Sequence, residues 1–180
     1  MKIAVALILA CSMTMIACES SNSTSEEKAS SFSDDVSLAT ARFKSRAPVT
    51  EKFFADSYAY AIFPNVGKGA IGLGAAHGSG HVIRDGAHIA NAELSQVSIG
   101  LSLGGQEFSE IVFFKDEHSF VSFKRSKLEF GAQASAVAVK AGVSTDADYE
   151  NGVAVFTMTK GGAMVDASIG GQEFKYEPIN

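Results

Sequence analysis

Gly67, Gly69 and Gly72, within the stretch FPNVGKGAIGLGAAHGSG (residues 63–80), have the G-x-G-x-x-G spacing of a dinucleotide-binding turn. That spacing holds a pyrophosphate only where a strand feeds the turn and the turn opens a helix, whose N-terminal N–H groups and dipole face the anion. Here Ile71, Leu73 and Ala75 alternate with Gly72, Gly74 and Ala76, and the further glycines Gly78 and Gly80 would cost a helix too much backbone entropy. An acidic residue about 20 positions on, which would meet the ribose, is offered only by Asp85 and Glu93, neither at the end of a second parallel strand. The stretch predicts a glycine-rich strand and no nucleotide ligand.

The other reactive side chains do not assemble either. His77 and His81 are four apart on one face of a strand, with His88 beyond, but a metal site needs further Cys, Asp or Glu ligands converging on them, and the sequence offers none. The G-S-G at residues 78–80 is not the G-x-S-x-G elbow that lifts a nucleophile between strand and helix. The acidic pairs Glu26-Glu27, Asp34-Asp35 and Asp116-Glu117 fall at helix starts or in a polar segment, where they complement a dipole or keep the chain solvated. We expect no enzyme, no cofactor and no metal. Basic residues are more suggestive. Arg42, Lys44 and Arg46 surround Phe43, and Lys124, Arg125 and Lys127 lie beside Phe123. Such clusters suit an anionic lipid surface, where each charge contributes about 1 kcal/mol, and they suit a solvated helix face equally well.

The N-terminus sets the compartment. Residues 1–17, MKIAVALILACSMTMIA, give one charge at Lys2 and an apolar run too short to span a bilayer, the pattern of a secretory signal. It ends at M-I-A-C, which resembles the lipobox of bacterial lipoproteins, so Cys18 is the expected acylated anchor; the alternative Cys11 would leave a hydrophobic region of only about seven residues. Residues 18–33 are polar and Ser-rich and read as a flexible tether, about 20 Å end to end. Without residues 1–17 the chain has 14 Lys plus Arg against 20 Asp plus Glu, a net charge of −6, which argues against a nucleic-acid partner.

Residues 34–180 are the length of one domain with its own core. Helical spacing is expected from Asp34 to about Tyr60, with Val36, Ala39 and Phe43 on a first helix and Phe54, Tyr58, Ala61 and Ile62 on a second from Thr50; a later helix starts with Asp116 as N-cap and carries Phe120, Phe123 and Lys127. The remainder alternates. Val97, Ile99, Leu101 and Leu103 oppose Ser98, Gly100, Ser102 and Gly104, and Val165, Ala167 and Ile169 oppose Asp166, Ser168 and Gly170. The pentapeptide G-G-Q-E-F occurs at 104–108 and again at 170–174, and each Gly-Gly reads as a tight hairpin turn. The fold class expected is α+β: a twisted, mainly antiparallel sheet with N-terminal helices and one further helix. Its Val, Ile, Leu and Phe face is expected to pack, and its Gly, Ser and Ala face to be covered by the protein's own helices or to form a ligand groove.

The stretches YAYAIFPNVGKGAIGLGAAHGSGHVI, SQVSIGLSLGGQEFSEIVFF, FKRSKLEFGAQASAVAVKAG and VAVFTMTKGGAMVDASIGG, in this order over about residues 35–178, resemble the SYLF domain family. The most specific piece is Ala61-Ile62-Phe63-Pro64-Asn65-Val66 with Lys68. The resemblance implies phospholipid binding without catalysis or cofactor, and Lys68 joins the two basic clusters as a candidate lipid contact. Bacterial relatives are exported, often as lipoproteins; actin binding, described in eukaryotic members, is not carried over. The expected protein is a lipid-anchored envelope lipoprotein facing the periplasm, in the outer membrane ahead of the inner, whose partner is a phospholipid membrane, anionic lipids included. The alternative is a structural or protein-interaction module of the envelope.

Overall fold

The computed structural model describes residues 23–125, 137–138 and 148–179. In chain order the elements are α1 (Ser23–Arg46), α2 (Thr50–Asp56), β1 (Ala59–Arg84), β2 (Ala87–Phe114), α3 (Glu117–Lys124), β3 (Val137–Ala138) and β4 (Val153–Pro178). The strands form one sheet in the order β1-β2-β4-β3, antiparallel except for the short parallel pairing of β3 with β4. The architecture is α+β, mainly antiparallel, as the alternation implied.

Tight turns set the registers, though not where the glycine pairs suggested. Asp85 and Gly86 have φ of 52° and 76° and join Arg84 to its partner Ala87; Asn151 and Gly152, at 52° and 80°, return Glu150 to Val153. Two consecutive positive φ values are the type I′ geometry that Asp-Gly and Asn-Gly favour. Gly104-Gly105 and Gly170-Gly171, expected as hairpin turns, instead lie inside β2 and β4. Leu101 pairs with Ala167, 66 positions later, which is also the spacing of the two G-G-Q-E-F copies. A local two-fold axis therefore passes through that pair, and the repeats run away from it in opposite directions along neighbouring strands.

A straight strand of 28 residues, the length of β2, would run about 90 Å, whereas a domain this size has a radius of gyration of about 15 Å. The strands must bend. β1 turns at Gly72, whose φ of 76° suits glycine, and there the register with β2 shifts: Ile71 pairs with Leu103 but Leu73 with Ile99. Past the bend β1 packs back on itself. A methyl group at Gly80 would lie 2.5 Å from the Ile62 carbonyl oxygen, and one at Gly78 would lie 2.7 Å from Val66 Cγ2. Bulges and bends of this kind carry strands around the corner between packed sheets.

Two cores result. Inside the folded sheet, Phe63, Val66, Leu94, Phe108, Val112 and Phe174 pack together, and α3 closes this interior with Phe120 and Phe123. Outside, α1 and α2 cover the other face of the same strands through Val36, Ala39, Phe43 and Phe53 on Ile62, Ile111, Phe113 and Phe156. α3 starts as expected: Asp116 Oδ1 accepts from the Ser119 backbone N–H at 2.9 Å. α2 ends at Asp56, however, and Tyr58, Ala61 and Ile62 do not continue it. Cross-strand pairing of Ala61 with Val112 and Ile62 with Ile111 outweighs the helical spacing there. α1 begins at Ser23, inside the segment read as tether. Once Val36, Ala39 and Phe43 have fixed the helix on the sheet, each further turn is cheap to add, and Phe32 packs against the same outer core.

The A-I-F-P-N-V segment is a bulge device. The β1–β2 register shifts between Phe63 and Val66, where Pro64 has no N–H to give the ladder, and Ser109 Oγ donates to the Pro64 carbonyl at 2.7 Å. Asn65 Nδ2 donates to Asp35 of α1 at 3.0 Å, while Lys160 of β4 donates to Asn65 Oδ1 and, at 3.0 Å, to Glu107.

Candidate functional site

The bend determines which side chains meet water. On its inner side Ala70, Gly74, Ala76, Ser98 and Ser102 are buried, because bulkier groups would hold the two halves of the sheet apart. On its outer side Ile71, Leu73, Val97, Ile99, Leu101 and Leu103 are exposed, Ile71 at 85% and Leu101 at 82%. The alternation matches the sequence reading, but the sides are reversed. These small residues of β1 and β2 lie inside the fold and not beneath helices, while the aliphatic face of the corner is bare. On β4, Ile169, Ala167 and Val165 occupy the register positions paired with Ile99, Leu101 and Leu103. No charged residue occurs in 69–76 or 95–106, so the outer corner is an uncharged aliphatic patch at the turn of the sheet. Contiguous apolar surface of this kind marks an interaction site.

Farther along the interior the lining becomes polar. A cavity of about 300 Å³ is bounded by Lys68 of β1, by Gln96, Gln106, Phe108 and Glu110 of β2, and by Thr157, Thr159 and Gln172 of β4. Glu110 is fully buried. Gln172 Nε2 donates to Glu110 Oε2 at 3.1 Å and to Gln96 Oε1 at 3.3 Å, and Gln106 Nε2 donates to Thr159 Oγ1 at 2.9 Å. Among the described residues Glu110 Oε1 has no partner. Burial pushes this carboxyl up to about 7, against the smaller lowering effect of the Gln172 hydrogen bond. Gln106 and Gln172 are the matching residues of the two G-G-Q-E-F copies, so the local two-fold axis and the fold together bring both amides to one cavity.

The basic clusters do not form one surface. Arg42, Lys44 and Arg46 are exposed near the end of α1, on the outer core, with Lys44 Nζ 4.8 Å from the Phe54 ring centroid. Lys124 and Arg125 are exposed at the end of α3, on the inner core, with Lys124 Nζ 5.1 Å from the Phe120 ring centroid. α1 and α3 pack on opposite faces of the same strands. Phe43, expected beside the lipid, is fully buried in the outer core; the helical spacing that places it next to Val36 and Ala39 aims it at the sheet. Lys68 lines the cavity. Lys127 and Cys18 lie outside the described residues. His81 and His88 stack with ring centroids 3.6 Å apart, and Phe32 of α1 meets His81 edge-on at 4.7 Å. Among the described residues no three of His, Cys, Asp and Glu converge as cation ligands. Sequence reasoning missed the outer corner and the Glu110 cavity. The corner left a signal in its charge-free alternation with glycine, since glycines cannot fill the core that a buried aliphatic face would require.

These features define an α+β domain made by folding one long-stranded sheet on itself, with an aliphatic outer corner and a polar pocket inside. No family model matches the chain. A similar protein is Beta cell expansion factor A of Aeromonas veronii, 24% identical over 135 residues that cover 74% of this chain and 51% of that protein. The chain spans about half the length of this curated relative.

Proposed function

We propose that the chain is a SYLF-type phospholipid-binding module, held at the bacterial envelope by an acylated Cys18. The observation that carries this reading is the outer corner, where six aliphatic side chains face solvent with no charged residue among them. Burying one such side chain in acyl chains gains about 1.5–3 kcal/mol, so partial insertion of several offsets the cost of immobilising the domain on a surface. The SYLF resemblance points the same way, and a lipid anchor would keep the corner within reach of a bilayer. Basic residues contribute less than the sequence suggested, since only one cluster at a time can approach a flat membrane.

The test is vesicle co-sedimentation of the purified chain, kept unacylated by Cys18→Ser. The parent should bind, and Ile99→Ser with Leu101→Ser should reduce partitioning by about tenfold or more, corresponding to roughly 1.4 kcal/mol or more. Equal partitioning of parent and double variant would remove the corner from the mechanism. A parent that ignores vesicles but forms oligomers dispersed by the same substitutions would favour the protein-interaction reading, in which the corner docks on another protein surface.

A further inference from the structure

The interior cavity is separate from the outer corner and carries its own chemical signature. Glu110 places a fully buried carboxyl on its wall with Oε1 unpaired, and leaving a buried acceptor unpaired is costly. The same lining carries further acceptors: the Gln96 side-chain oxygen, which accepts from Gln172, the Thr159 hydroxyl, which accepts from Gln106, and the Thr157 hydroxyl. Lys68 supplies the one cationic group of the lining. A lining of one acid, several neutral oxygens and one base around about 300 Å³, open to solvent at the exposed Thr159, is at the small end of ligand-binding pockets.

The ligand chemistry follows by elimination. A divalent cation would find one carboxylate and no second charged ligand. Once Glu110 is ionised, above about pH 7, a lone phosphate or carboxylate would be repelled by it. A neutral polyol would leave that charge uncompensated. A primary ammonium has three donors and no acceptor, which matches Glu110 Oε1 together with the neighbouring amide and hydroxyl oxygens, and an anionic group a few bonds away would meet Lys68. We propose that this cavity binds a small zwitterion of the phosphoethanolamine class, its ammonium on Glu110 and its phosphate toward Lys68. The proposal stands on the cavity alone and does not require membrane attachment through the corner. The zwitterion is supplied either as the free compound or as the headgroup of phosphatidylethanolamine.

Titration calorimetry on the purified chain, kept unacylated by Cys18→Ser, tests this with phosphoethanolamine, ethanolamine and glycerol 3-phosphate. Phosphoethanolamine should bind saturably, ethanolamine at least tenfold more weakly, and glycerol 3-phosphate not at all. Glu110→Gln should weaken phosphoethanolamine at least tenfold, and Lys68→Met, at a partly exposed position, should bring phosphoethanolamine down to the level of ethanolamine. Affinity should rise between pH 5.5 and 7.5 more steeply in the parent, where Glu110 ionises, than in Glu110→Gln, where only the second ionisation of the phosphate, near about 6, remains. Lys68 is the other titratable side chain of the cavity lining; β2 and β4 otherwise line the cavity with amides, hydroxyls and a phenyl ring, and α3 turns Phe120 and Phe123 inward. Competition by free phosphoethanolamine against phosphatidylethanolamine vesicles would assign the headgroup as the source, and binding without competition would assign the free compound. Absence of saturable binding by the parent, equal binding by glycerol 3-phosphate, or a Glu110→Gln variant that folds and binds like the parent would each overturn the proposal.

Discussion

Gln172 Nε2 reaches Glu110 Oε2 at 3.1 Å across the interior, although the β2–β4 pairing sets Gln172 opposite Gln96 and Glu110 opposite Thr157. The bond joins the two halves of the folded sheet at a group whose ionisation burial opposes. The folded chain keeps this proton to about pH 7, whereas an unfolded chain releases it near 4.5. Between those values the folded state binds more protons, so its stability falls as pH rises, by about 3 kcal/mol across the window. Glu110→Gln should match the parent near pH 4.5 and exceed it by about that amount at pH 8, measured by urea unfolding over a pH series. A difference that does not grow with pH would place the raised carboxyl elsewhere.

His81 acts with the opposite sign. Burial first, and the neighbouring charge of His88 second, bring it down to about 4 from 6.5. The folded chain releases this proton earlier than the unfolded chain does, so His81 makes stability rise between pH 4 and 6.5. Over most of that window it opposes Glu110, and in the parent the two slopes partly cancel. The Glu110→Gln background should therefore show stability rising from pH 4 to 6.5, and adding His81→Phe should flatten that limb. A slope unchanged by His81→Phe would refute the assignment.

The glycines divide by what lies next to them. Gly67 and Gly69, which a dinucleotide fingerprint would need most, have none of the described residues within 4 Å of the position of a side chain, whereas Gly80 abuts the Ile62 carbonyl and the Phe63 ring. Gly80→Ala should destabilise the domain by about 3 kcal/mol, at the upper end of overpacking costs because backbone cannot give way as a side chain does. The thermal midpoint should then drop by roughly 6–12 °C. Gly67→Ala and Gly69→Ala should leave it within about 2 °C. A large loss at Gly67 with none at Gly80 would reverse the account of the bend.

The sequence carried its alternation openly, and with it the sheet, its antiparallel pairing and the cap at Asp116. It concealed the bend. Ser98 and Leu101 obey the same period in a flat sheet and in a folded one, but only the fold decides that the serine goes in and the leucine goes out. The turns were visible as Asp85-Gly86 and Asn151-Gly152, yet the repeated Gly-Gly drew the turn assignment into the middle of β2 and β4, where Gly104 takes a φ of 123° within the strand. Phe43 was misread because aromatic character beside lysines was weighed above the helical spacing that buries it. Glu110 went unnoticed because a single acid in S-E-I-V-F-F gives no sign of how deep it lies.

The anchor has a direct test. With the lipobox-like M-I-A-C ending at Cys18, Cys18→Ser should move the protein from the membrane to the soluble fraction and abolish incorporation of labelled palmitate, while Cys11→Ser should change neither. Acylation surviving in Cys18→Ser would shift the anchor to Cys11.

If the outer corner governs attachment, vesicle binding should depend weakly on salt, because burial of Ile99 and Leu101 is not screened, whereas a polybasic contact weakens within a Debye length that shrinks to about 3 Å at 1 M salt. The opposed placement of α1 and α3 sharpens the comparison. Arg42, Lys44 and Arg46 changed together to Glu should reduce binding to phosphatidylglycerol vesicles by a few-fold at low salt and not at all at 1 M. The pair Lys124→Glu and Arg125→Glu should not add to that loss, since one flat membrane cannot meet both clusters. Ile99→Ser with Leu101→Ser should lower binding equally on zwitterionic and anionic vesicles and at every salt concentration. Should the charge reversals instead abolish binding while the corner variants retain it, attachment would be electrostatic and the aliphatic corner would have to serve another contact.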